Sequence, residues 1–141
     1  MAYSNNSVHA YRETRVKTAS QGRIIVMLYD EALRQIDEAV GLLDTGTKQL
    51  DRVNNSVVKA QDIITELMVS LDMEQGGDIA RNLFRLYMFF NDRLMEGNVR
   101  KEAKPLVEVR GLMANLRDAW REIENVATPS PAVTTGVNIA G

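Results

Sequence analysis

Four stretches of this chain place apolar residues at alternating steps of three and four, the spacing that aligns side chains on one face of an α-helix. Ile25, Leu28, Ala32, Ile36, Ala39 and Leu43 mark the first, within an expected helix from about Ser20 to Leu43. Val53, Val57, Ala60, Ile64, Leu67 and Leu71 mark the second. The third is expected from about Asp78 toward Gly97, with Ile79, Leu83, Leu86, Phe90 and Leu94 facing inward. The fourth runs from near Pro105 to near Val126 on Leu106, Val109, Met113, Leu116, Trp120 and Ile123. A helix with one apolar stripe is stable only when that stripe packs on another element, and long helices joined by short turns favour antiparallel neighbours. No comparable period-two alternation supports a sheet. The expected fold is therefore all-α, an antiparallel up-down four-helix bundle with a flexible N-terminal arm and C-terminal tail.

Turn and cap residues divide the chain in the same way. Thr18 followed by Gln21 offers a capping box, with Ser20 as a competing N-cap. Gly46 falls in the exit turn of the first helix, Gly76 and Gly77 interrupt the pattern before the third, and Pro105 suits a first helical turn. The expected organisation is an arm over residues 1–17, a bundle domain over 18–126 and a tail over 127–141. Through residue 23 the N-terminal segment carries four basic residues, Arg12, Arg15, Lys17 and Arg23, against the single acidic Glu13, a local charge of +3. Its Tyr3, Val8 and Tyr11 leave it either disordered or docked as a short helix on an apolar surface. The final TPSPAVTTGVNIAG has no charged residue, two prolines and two glycines, which reads as an extended or disordered tail. Its Val133, Val137 and Ile139 remain available for transient apolar contacts.

At 141 residues the chain fits one domain with a real core, and 45% hydrophobic with 26% charged residues argues for a globular chain over a disordered one. Seventeen basic against 19 acidic residues, net −2, give no bulk attraction for nucleic acid or anionic lipid. With no cysteine there is no thiol nucleophile, zinc-thiolate site or disulfide framework. His9, the only histidine, sits in the polar arm, so neither a histidine-based triad nor a di-iron bundle site can be assembled. No phosphate-cradling glycine loop or dinucleotide fingerprint is present. Asp30 and Glu31 diverge on their helix, and Asp62 and Glu66, four apart, read as a solvated face more readily than as a cation site or an acid–base pair. No cofactor is expected, and the chain reads as a non-enzyme. MAYSNNSVHAYRETR lacks the apolar stretch of a signal peptide, and no run is long enough to span a bilayer, so the chain is expected to stay in the compartment where it is made.

The third helix has more apolar residues than one stripe requires. Phe84, Met88 and Met95 lie well over a quarter-turn from its expected inward centre, Val58 and Val69 fall off the seam of the second helix, and Met27 lies nearly opposite Ile25 on the first. Such residues either form a helix-in-groove recognition surface, with Met adapting to varied apolar shapes, or are consumed by wide core contacts or self-association. Trp120 follows a seam and reads as core. Tyr29 and Tyr87 flank their inward faces with hydroxyls expected near water, framing a groove or closing the core boundary.

The ordered segments YDEAL at 29–33, KAQDIITEL at 59–67, SLDMEQGGDIARNLFRLY at 70–87, NDRL at 91–94 and LRDAW at 116–120 together resemble the flagellar export chaperone family FliS. The resemblance spans roughly residues 18–125. It implies a cytoplasmic four-helix-bundle chaperone that binds the C-terminal segment of flagellin, prevents premature filament assembly and helps deliver the subunit to the flagellar type III export machinery. It also implies that the client wraps around the bundle in a largely helical, extended arrangement and that the arm can cover part of the client surface. An export-gate component and a regulatory flagellar protein are further candidate partners; nucleic acid and stable membrane insertion are not expected. On this basis the client-binding candidates are Val8 and Tyr11 in the arm, Met27 and Tyr29 on the first helix, Val58 and Val69 on the second, and Ala80, Phe84, Tyr87, Met88 and Met95 on the third. The alternative reading is a homodimeric or regulatory bundle that binds another flagellar component.

Overall fold

The computed structural model describes residues 21–127. They form four helices: α1 (Gln21–Asp44), α2 (Leu50–Val69), α3 (Met73–Arg100) and α4 (Ala103–Ala127). The Thr18 and Ser20 caps, the arm and the tail from residue 128 lie outside the described residues. Among those described there is no strand.

The helices form a four-membered ring in which α1 packs on α2 and α4, and α3 packs on the same two, leaving α1 and α3 diagonally opposed. Polar contacts between neighbours fix the antiparallel register. Arg23, Asp30 and Asp37 of α1 meet Glu124, Arg117 and Arg110 of α4 at 3.8, 2.7 and 2.9 Å, one ion pair every second turn along the seam. Solvent-accessible pairs contribute only about 0–1 kcal/mol each, and with Glu124 and Arg117 only partly covered these act chiefly on register. Stability comes from the core, where the expected seam residues Leu28, Ala32, Ile36, Ala39, Val53, Val57, Ala60, Ile64, Leu67, Leu106, Val109 and Met113 are all buried. Ile25, Leu43, Leu71, Leu116 and Trp120 pack against that core while partly exposed.

The turns follow from local chemistry. Gly46, at φ +69, closes α1 with its N–H donating to the Leu43 carbonyl while the Thr47 N–H donates to Leu42, a Schellman ending that requires left-handed backbone. The glycine pair interrupts the third helix as expected, but inside the element. Asp72 caps a first turn by accepting from the Glu74 and Gln75 amides at 3.1 and 3.0 Å, and the chain then kinks at Gly77 (φ 53, ψ −129), a conformation open essentially to glycine alone. At its other end α3 continues past Gly97 to Arg100, and Lys101 takes the left-handed cap.

Two stripe assignments are corrected. Ile79, placed inward from spacing, is 72% exposed, and the α3 residues that are buried are Ala80, Tyr87, Phe90, Leu94 and Gly97, with Leu83 and Leu86 only half-buried. Phe90 and Leu94 stay inward as expected, and Ala80 and Tyr87 take the positions beside Ile79 and Leu86 on the buried face. Ile123, assigned to the α4 seam, is 56% exposed at the end of the bundle.

Candidate functional site

On α3 the residues Phe84, Met88, Asn91, Met95 and Asn98 follow one another at steps of four and three, so they share a face. Asn91 and Asn98 show where that face points. Gln61 Nε2 of α2 donates to the Asn91 carbonyl at 3.1 Å, Asn91 Nδ2 donates to Thr65 Oγ1 at 3.3 Å, and Asn98 Nδ2 donates to Asn54 Oδ1 at 2.8 Å. The antiparallel register set by these amide rungs brings Met95 level with Val58, Met88 level with Thr65 and Phe84 level with Val69. The result is a shallow apolar row along the outer α2/α3 seam. The rungs hold the two backbones in place, while the apolar side chains between them stay outside the core: Phe84, Met88 and Met95 are 36, 47 and 55% exposed. Val69 is also exposed, and Val58 half-buried. Five of the sequence candidates, on two helices, thus come together on one surface.

A second feature lies at the end of the bundle where α1 and α3 begin and α2 and α4 finish. A cleft of about 320 Å³ opens there, walled by Ile25, Leu67, Leu71, Ile79, Leu83 and Trp120, with Ala80 and Tyr87 bordering it from α3. Val69 and Phe84, at the α2/α3 row's end, are two residues before Leu71 and one after Leu83 of this lining.

Three candidates are corrected in exposure. Ala80, Tyr29 and Tyr87 are buried. The two tyrosines reach across the α1/α3 diagonal until their hydroxyls meet at 2.6 Å, so the polar tips expected near water satisfy each other inside the core. Burial raises the ionisation of both phenols, that of Tyr29 well above its ordinary value. Met27 is half-buried. Val8 and Tyr11 lie outside the described residues, as does His9.

Among the described residues no group of acidic or histidine side chains could hold a metal ion, and no helix is long and apolar enough to cross a membrane. Residues 4–127 match the family model described as flagellar protein FliS. The chain belongs to the FliS family. Its curated relatives include the flagellar secretion chaperone FliS of Salmonella typhimurium, 34% identical over 131 residues that cover 89% of this chain and 96% of the relative. The FliS of Escherichia coli is 34% identical, with 85 and 90% covered, and that of Bacillus subtilis 30% identical, with 83 and 85% covered. Membership in the FliS family places this chain among chaperones, which act by binding and not by catalysis.

Sequence spacing missed one surface of this FliS-family bundle. The Arg93–Glu108 pair, at 2.6 Å, sets the α3/α4 register and brings Phe89 level with Leu112 and Ile79 level with Ile123. All four are exposed, so α3 carries an apolar strip on each flank, separated by a crest bearing Arg81, Arg85 and Asp92. The doubled flanks explain why α3 is apolar over so much of its circumference.

Proposed function

We propose that this chain is a cytoplasmic export chaperone that binds the C-terminal segment of flagellin, keeps it from polymerising prematurely and assists its delivery to the flagellar type III export machinery. The observation that carries this reading is the in-register row of Val58, Val69, Phe84, Met88 and Met95 outside the core. An apolar row held open by inter-helix amide rungs suits an amphipathic client helix laid along the seam. A flagellin segment that later packs inside a filament has such an apolar face, and covering it transiently removes the polymerising surface from solution. Met88 and Met95 adapt to the client's side chains with little strain. Contacts to an export-gate component or a regulatory flagellar protein would use surfaces left free in the client complex.

Titration of the purified chain with the cognate flagellin, combined with light scattering of the flagellin under polymerising conditions, tests the reading. A saturable complex and suppressed scattering are expected. A persistent homodimer with no saturable complex would instead favour a regulatory bundle that binds another flagellar component.

A further inference from the structure

Helix α4 borders two seams of opposite character. Toward α1 the seam is charged along its length, with Arg23 on Glu124, Asp30 on Arg117 and Arg121, and Asp37 on Arg110. Toward α3 it is apolar: the register set by Arg93–Glu108 brings Ile79 level with Ile123, Leu86 with Leu116 and Phe89 with Leu112. Leu86 and Leu116 are half-buried against the core and form a floor, while the other four stand exposed. The chain leaves α4 at Ala127, about one helical turn beyond Ile123, and continues as TPSPAVTTGVNIAG over residues 128–141. Pro129 and Pro131 oppose continuation of the helix. Beyond them Val133, Thr135, Val137 and Ile139 occupy alternate positions and are all β-branched, the pattern of an extended segment with one apolar face. Such a segment from Val133 to Ile139 spans about 20 Å at about 3.3 Å per residue. The strip from Ile123 to Leu112 spans about 17 Å at about 1.5 Å per residue.

We propose that residues 133–139 return along the α3/α4 seam as an extended segment antiparallel to α4 and cover the apolar strip. Val133 then lies toward Ile79 and Ile123, and Ile139 toward Phe89 and Leu112. The uncharged segment selects this seam because the α1 side would require it to desolvate carboxylates and guanidinium groups. The α2/α3 row lies farther off, beyond the crest of Arg81, Arg85 and Asp92. Alternation leaves Thr134, Gly136 and Asn138 turned to water. A short linker holds the segment at a roughly millimolar effective concentration, so it needs little intrinsic affinity to stay in place. This cover removes an apolar surface that would otherwise pair copies of the chain, and it does not depend on what occupies the α2/α3 row.

The chain has no cysteine, so Thr134→Cys or Asn138→Cys gives the full-length protein a single site for a nitroxide spin label. Paramagnetic loss of amide signal then reads where each label sits. The label at 138 is expected to weaken the signals of Phe89 and Leu112, and the label at 134 those of Ile79 and Ile123, with Val58 and Met95 unchanged in both. Val137→Asp in either labelled protein should restore the lost signals. Loss confined to the α2/α3 row, no loss at any bundle residue, or a pattern that survives Val137→Asp would overturn the proposal. A mixture of spin-labelled chain with isotope-enriched chain lacking the label separates the remaining case. Loss at the strip in that mixture would assign it to a second copy and overturn the intramolecular cover.

Discussion

Gly97 of α3 and Leu106 of α4 meet at a distance that leaves no room for a side chain between them. A Cβ placed on Gly97 would overlap the Leu106 methyl and stand 3.0 Å from the Glu102 carbonyl oxygen. Leu106 is fully buried, and the Lys101 and Glu102 amides both return to the Gly97 carbonyl, so neither side of the contact yields easily. Gly97→Ala is accordingly expected to destabilise the protein by roughly 1–3 kcal/mol despite the better helix propensity of alanine. Equilibrium urea unfolding checks this. A variant as stable as wild type would mean that the α3/α4 corner packs differently.

The same contact shows what the sequence does and does not carry. On α2 the seam from Val53 to Leu67 is readable because its apolar residues recur at steps of three and four on one face, with only Val58, Met68 and Val69 off it among mostly polar neighbours. Along α3, Ile79, Leu83, Phe84, Leu86, Met88, Phe89 and Phe90 run nearly around the helix, so periodicity alone cannot say which of them is inside. Two of the buried residues, Ala80 and Gly97, are small and signal little by hydrophobicity. The outer row of Phe84, Met88 and Met95 was readable as a surplus, but its pairing with Val58 and Val69 depends on amide rungs between positions 30 and 44 residues apart. The Tyr29–Tyr87 bond, 58 residues apart, was illegible for a related reason: a phenol's preference for water gives way when a second phenol arrives across the core.

A series of truncations separates core from surface. Leu67→Ala is expected to cost about 2–5 kcal/mol, because Leu67 is buried on the dominant seam. Leu86→Ala should cost less, since Leu86 is half-buried. Ile79→Ala should stay within about 0.5 kcal/mol of wild type. Thermal unfolding of the three variants gives the order directly. A large loss at Ile79 would restore the inward face read from spacing.

The buried phenols set an alkaline limit. Both have their ionisation raised, chiefly by burial, above the value they take in the unfolded chain, about 10. The unfolded state thus releases these protons first. Stability from the pair is complete below about pH 10 and declines as the pH rises beyond it, by up to about 1.4 kcal/mol per pH unit for each group. Denaturant midpoints measured between pH 8 and 11 should fall more steeply for wild type than for Tyr29→Phe/Tyr87→Phe. Parallel slopes would show that the phenols ionise freely in the folded state.

The central claim is that the outer α2/α3 row holds the flagellin segment, and Phe84→Ser/Met88→Ser tests it most directly. Both residues stand outside the core, so circular dichroism and the unfolding midpoint should remain close to wild type. Apolar anchors of this size contribute about 1–3 kcal/mol each without adding simply. Calorimetric titration with the C-terminal flagellin fragment should therefore show affinity reduced by roughly tenfold or more in the folded double variant. Unchanged affinity in a normally folded double variant would contradict the account.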